Sequence, residues 1–126
     1  MIGHQAALST VQSVDGSVAA VTGSTPLSFV KMDVDGWSVT RIEKAGIEIS
    51  IFKVAPSSVY ASHAVAFECV CLVAEGSGEL FLTDEGGKEV SSLACSKGDA
   101  YVQGANARHG FRNGPNETTL IYLRVA

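Results

Sequence analysis

The residues able to do chemistry are few. Three histidines (His4, His63, His109) and three cysteines (Cys69, Cys71, Cys95) are the side chains that ligate transition metals or act as bases and nucleophiles near neutral pH. A neutral imidazole offers one nitrogen lone pair. A thiol becomes a strong ligand or nucleophile only as the thiolate, which near neutral pH needs a metal or a nearby cation. Serines are many, but none is tied by spacing to His63 or His109, so no acid–base pair or nucleophile triad is predicted. Asp33-Val34-Asp35-Gly36 opens like a calcium loop, yet Lys44 stands where that loop needs its bidentate Glu, and the segment reads as a turn. Gly76-Ser77-Gly78 is a turn between strands and not a phosphate loop, because no helix follows. His4 reads as tail. Arg41, Arg108, Arg112 and Arg124 read as solvated; one of them facing a pocket would point to an anionic ligand.

The elements that must position these groups are short strands. Apolar segments at close spacing are punctuated by Gly, Asp and Asn, and no long segment carries a helical period. Strands are predicted at 27–32, 37–44, 47–54, 68–74, 78–83, 88–93, 99–103, 108–113 and 118–125. Residues 11–21 read as a hairpin turning on Asp15-Gly16, with a short helix over 4–13 as the competing reading. Many short strands with regular turn signals point to an all-β sandwich or barrel. Alternation puts Trp37, Val39, Arg41 and Glu43 on one face. It opposes Ile47, Ile49 and Ile51 to Glu48, Ser50 and Phe52, and Leu120, Tyr122 and Arg124 to Ile121, Leu123 and Val125. The 126 residues fit one domain, with 1–31 as an N-terminal extension and 37–125 as the barrel. A composition 46% hydrophobic and 17% charged is globular rather than disordered.

The segment Gly98 to Asn113 is the most informative: Gly98-Asp99-Ala100-Tyr101-Val102-Gln103-Gly104-Ala105-Asn106-Ala107-Arg108-His109-Gly110-Phe111-Arg112-Asn113. It resembles the second motif of the cupin superfamily, with Gly98, His109 and Asn113 matching. Gly104 stands for the motif's Pro and Asn106 for its Gly; Asn tolerates the left-handed backbone better than most residues, so that exchange keeps a turn. The first cupin motif is present in its spacing. Counting back from Gly76 puts Cys69 at the Glu position, Val65 at the second His, His63 at the first and Ser57 at the leading Gly. A rival register places Ala61, His63 and Glu68 at His, His and Glu, and needs one extra residue before Gly76. The first register, which needs no insertion, is preferred; it predicts Cys69 pointing in and Glu68 pointing out.

The resemblance spans residues 37–125. It implies a single cupin-type β-barrel or jelly roll of two antiparallel sheets, with an N-terminal strand extension and a pocket at the barrel mouth. It implies that His63, Val65, Cys69, Cys71, His109 and Phe111 line that pocket. The family's metal set of three His and one Glu reduces here to His63, His109 and a soft ligand in Cys69 (Glu68 in the rival register). Such a set suits Zn, Cu or Fe rather than Mn. The other reading of Cys69 and Cys71 is plain core packing, since free Cys is among the most buried residue types.

Two functions follow from the resemblance. One is a small-molecule-binding or sensing cupin with a depleted metal site. The other is a metal-dependent cupin enzyme, an oxygenase, isomerase or lyase acting on a small organic acid or sugar derivative. A net charge of −4 with scattered Lys and Arg argues against nucleic acid. No apolar run suggests a membrane span, and Met1-Ile2-Gly3-His4 lacks a basic leader region, so no signal peptide is predicted. Three cysteines fit reduced thiols and a cytoplasmic location. Apolar residues on both faces of several strands predict a homodimer, with residues 8–31 helping to cover a sheet edge.

Overall fold

The structure is a computed structural model and describes residues 12–13, 19–20 and 27–125. The strands are β1 (Gln12–Ser13), β2 (Ala19–Ala20), β3 (Val30–Lys31), β4 (Trp37–Lys44), β5 (Ile47–Val54) and β6 (Val59–His63). They continue with β7 (Cys69–Glu75), β8 (Ser77–Thr83), β9 (Glu89–Ser96), β10 (Ala100–Gln103), β11 (His109–Asn113) and β12 (Thr118–Val125). β1 and β2 pair antiparallel, as in a hairpin, but Gln12 faces Ala20 and Ser13 faces Ala19, one residue off the register of a two-residue turn at Asp15-Gly16. The Asp15-Gly16 turn and most of the competing 4–13 helix lie outside the described residues.

The other strands form two antiparallel sheets, six-stranded in the order β10-β7-β12-β5-β4-β3 and four-stranded in the order β6-β11-β8-β9. They are not hydrogen-bonded to each other into a closed barrel, so the architecture is a jelly roll of two facing sheets. Val30 and Lys31 pair with β4 at the end of the larger sheet.

The core lies between the sheets. Trp37, Val39, Phe52, Val54, Cys71 and Leu120 are buried there from the large sheet, and Phe111 from the small one. Trp37 meets Phe52, Tyr60 and Phe111 edge-on at centroid distances of 5.8, 5.0 and 5.9 Å. Such edge-to-face contacts add to the burial of the rings. Because strand side chains alternate, a core that takes Phe52 and Val54 also takes Ser50 and Glu48, and it turns Ile47, Ile49 and Ile51 outward.

β6 has no counterpart among the strands predicted above. Its pairing with β11 sets His63 opposite His109 and Tyr60 opposite Phe111, with a bulge between the two pairs. Residues three apart on a regular strand face opposite sides; the extra residue of the bulge returns both Tyr60 and His63 to the interior.

One end of the sandwich is tied across the sheets by Asn113, the last residue of β11. Its Nδ2 donates to the carbonyls of Val54 (3.1 Å), Ala55 (2.8 Å) and Asn116 (2.9 Å), and its Oδ1 accepts from Thr118 Oγ1. The motif's Asn is therefore a structural clip.

Candidate functional site

The opposite end carries the chemistry. His109 opens β11 and His63 closes β6, and their ring centroids are 4.5 Å apart. His109 Nδ1 is 2.8 Å from Ala107 O and His63 Nδ1 is 3.1 Å from Ala61 O. A carbonyl only accepts, so each Nδ1 carries the proton and each Nε2 presents a lone pair. Burial pushes both imidazoles below the usual histidine range, against the opposing pull of those carbonyl bonds. His63 Nε2 and Trp37 Nε1 are both buried without a hydrogen-bond partner, and their residues border one void of about 10 Å³, no larger than a water molecule.

Cys69 and Val65 border a different void, of about 30 Å³, together with Arg41, Glu48, Phe67 and Arg124. Phe52 and Tyr122 separate the two. Cys69 is buried and Glu68 exposed, the orientation of the first register. The Cys69 thiol is pushed up by burial, which keeps it protonated. Cys71 lies in the core with its thiol pushed up to about 12 by burial, and Phe111 packs against Trp37.

Arg41 and Arg124 are not solvated as the sequence suggested: they face this second void. Arg124 grips the buried Glu48 carboxylate at 2.9 Å (Nε–Oε1) and 3.3 Å (Nη2–Oε2) and lies 3.9 Å over the Phe67 ring. Arg41 Nε stands 3.6 Å from the same Oε1. Bonding to Glu48 holds the Arg124 guanidinium above its ordinary pKa, and Glu43 adds to that field. The two cations thus converge on carboxylates of the chain itself. Arg108 is exposed, and Arg112 bridges Glu79 and Glu89 on the outer face at 2.6 Å each.

A third space has room for a ligand; a wider and more open groove of about 530 Å³ along Ser77–Glu79, Ala94–Ser96 and Arg112–Gly114 lies at the Asn113 end. The cleft between β8–β9 and β10 holds about 300 Å³, at the lower end of the range for small-molecule pockets. Leu80, Leu82, Leu93, Tyr101 and Val102 make it mostly apolar, and Gln103 and His109 supply its buried polar groups. Gln103 Oε1 is buried without a hydrogen-bond partner. Sequence reasoning missed Gln103, although alternation from Tyr101 gives it the face it takes.

These residues do not fit the metal set that the resemblance implies. Among the described residues no group of three or more His, Cys, Asp or Glu is placed to hold a metal ion. His63 and His109 come together, Val65 offers no donor, and Cys69 lines another void as a neutral thiol. The backbone of both motifs is nonetheless kept. Ser57 and Asn106, at the motif glycine positions, have φ of 61° and 64°, and Gly76 and Gly98 have φ of 84° and 94°.

No protein-family model and no curated protein matches this chain. Solved structures do. A Salmonella typhimurium LT2 protein described as ethanolamine utilization protein Q superposes with a TM-score of 0.71 at 14% identity, covering 93% of each chain. The polyketide cyclase RemF from Streptomyces resistomycificus gives 0.68 at 20% identity, over 81% of this chain and 75% of its own. An RmlC-like cupin from Shewanella frigidimarina NCIMB 400 gives 0.65 at 16% identity, over 81% and 85%. Identities this low carry fold and not activity. With two facing antiparallel sheets, both motif backbones in place and these likenesses across most of its length, the chain has the cupin fold.

Proposed function

We propose that the protein binds a small, largely apolar organic molecule in the cleft between β8–β9 and β10. The observation that carries this reading is the cleft itself: about 300 Å³, apolar walls, and two buried polar side chains, Gln103 and His109. An apolar concavity with a few fixed polar groups is the usual form of a small-molecule site. A fragment screen read by methyl NMR tests it. Hits are expected to shift the Leu80, Leu93 and Val102 methyls, and a set of hits that leaves these methyls unmoved would refute the proposal.

The His63–His109 pair favours a second reading, an enzyme. Two neutral imidazoles, each with an unprotonated Nε2, form a proton-accepting site that needs no metal. Turnover by this route depends on the imidazoles and survives chelation. The metal-dependent version would instead need Zn, Cu or Fe bound by the same two imidazoles with further donors from a ligand.

We also propose that the protein pairs with a second copy of itself through the outer face of the six-stranded sheet. Val70, Leu72, Leu123 and Ile47 are 38–45% exposed there and contiguous across β7, β12 and β5. The middle of this face carries no charge, so it can meet its own copy without repulsion, as a two-fold interface requires.

A further inference from the structure

We infer that the cleft selects molecules bearing a neutral hydrogen-bond donor, such as a phenol or alcohol on an apolar ring, and disfavours carboxylates and ethers of the same shape. This rests on the cleft being the binding site, and it follows from what the two buried polar groups offer.

His109 is 3% exposed and Gln103 6% exposed, and Gln103 Oε1 is closed off from water. His109 commits its Nδ1–H to Ala107 O, leaving an acceptor at Nε2. Gln103 Oε1 is a second acceptor without a partner. A buried acceptor left unmet costs free energy, and a ligand hydroxyl or amine recovers it. An ether leaves both lone pairs unmet. A carboxylate brings further lone pairs and a full charge into a cleft whose lining holds no cation, so it loses its hydration with no more than neutral donors such as the Gln103 amide N–H to compensate. The two guanidinium groups that could reward an anion border the smaller void that Gln103 also lines, and there Glu48 already engages both. Burial keeps His109 unprotonated at neutral pH, which preserves its acceptor.

The test uses three probes of one shape at about pH 7.5, where only the last is charged: 2-naphthol, 2-methoxynaphthalene and 2-naphthoate, each titrated into the full chain and followed at the Leu80, Leu93 and Val102 methyls. The expected result is a Kd for 2-naphthol about tenfold or more below that of the other two, equivalent to about 1.4 kcal/mol. In Gln103→Met the naphthol-to-ether ratio should fall several-fold while the affinity for the ether holds. Equal binding of naphthol and ether at the cleft methyls would overturn the inference and leave the cleft standing as the site. Tightest binding by 2-naphthoate would overturn it in favour of an anion site. Failure of all three to move the cleft methyls would refute the binding cleft, and the inference with it.

Discussion

The imidazoles of His63 and His109 face each other across β6 and β11 at 4.5 Å, each with its Nδ1–H turned onto the carbonyl two residues earlier. Two protonated rings at that distance repel, and both are already pushed down by burial. In the unfolded chain they take up protons near their ordinary pKa of about 6.5. Below that pH the unfolded state therefore binds more protons than the folded state. Stability should be flat above about pH 6.5 and fall as pH drops toward the lowered folded values. Melting temperatures between about pH 5 and pH 7.5 check this. His63→Asn should roughly halve the fall, since one of two titrating groups is gone.

Glu48 holds two guanidinium groups in a largely closed space. Glu48→Gln removes the negative charge that Arg41 and Arg124 share. Breaking a buried ion pair from one side costs roughly 3 kcal/mol. Urea unfolding should show that loss, and replacing Arg124 with Leu in the same protein should recover part of it. An unchanged midpoint in Glu48→Gln would mean that solvent already screens the network.

Ser57 holds a φ of 61° at a position where the first motif has glycine. Left-handed backbone costs an L-residue about 1 kcal/mol, a penalty glycine does not carry. Ser57→Gly should raise stability by roughly 0.5–1 kcal/mol. Asn106→Gly should gain less, because Asn tolerates that region better. Thermal melts of both variants measure the difference.

Purified protein should carry no stoichiometric Mn or Mg by elemental analysis, because among the described residues no carboxylate is grouped with His63 and His109 to hold a metal. Added Zn or Cu should raise the melting temperature only slightly, and His109→Asn should abolish even that shift. One equivalent of Mn surviving dialysis would contradict the donor set described above.

Light scattering at high micromolar concentration should show a dimer, and Leu72→Lys should shift it to monomer by placing a charge in the outer apolar face. A wild-type chain that stays monomeric would remove the proposed interface.

Much of the architecture was legible because alternation is a strong signal where one face is apolar. The bounds 37–44, 47–54 and 118–125 are those of β4, β5 and β12. β6 was missed because Tyr60-Ala61-Ser62-His63 carries a bulge, which breaks the period that a strand would show. Arg41 was placed on the face of Trp37 and Val39 but read as solvated. Once Trp37 is core, the same alternation turns Arg41 inward, and its pairing with Glu48, 7 residues on, helps to make that tolerable. Pairing of this kind depends on strand register, which a single sequence does not print. The His pair was legible from motif spacing. The cleft was not, since it arises where the edges β9 and β10 of two different sheets approach without bonding.

The Asn113 clip has a mechanical consequence. It fastens β11 to the end of β5, at the opposite end of the strands from His109 and Glu48. Two plates fixed along one margin separate in proportion to the distance from it. A small angular opening therefore leaves the pinned margin unmoved and gives its greatest displacement around the histidines and the inner end of the cleft, as in the jaws of a peg.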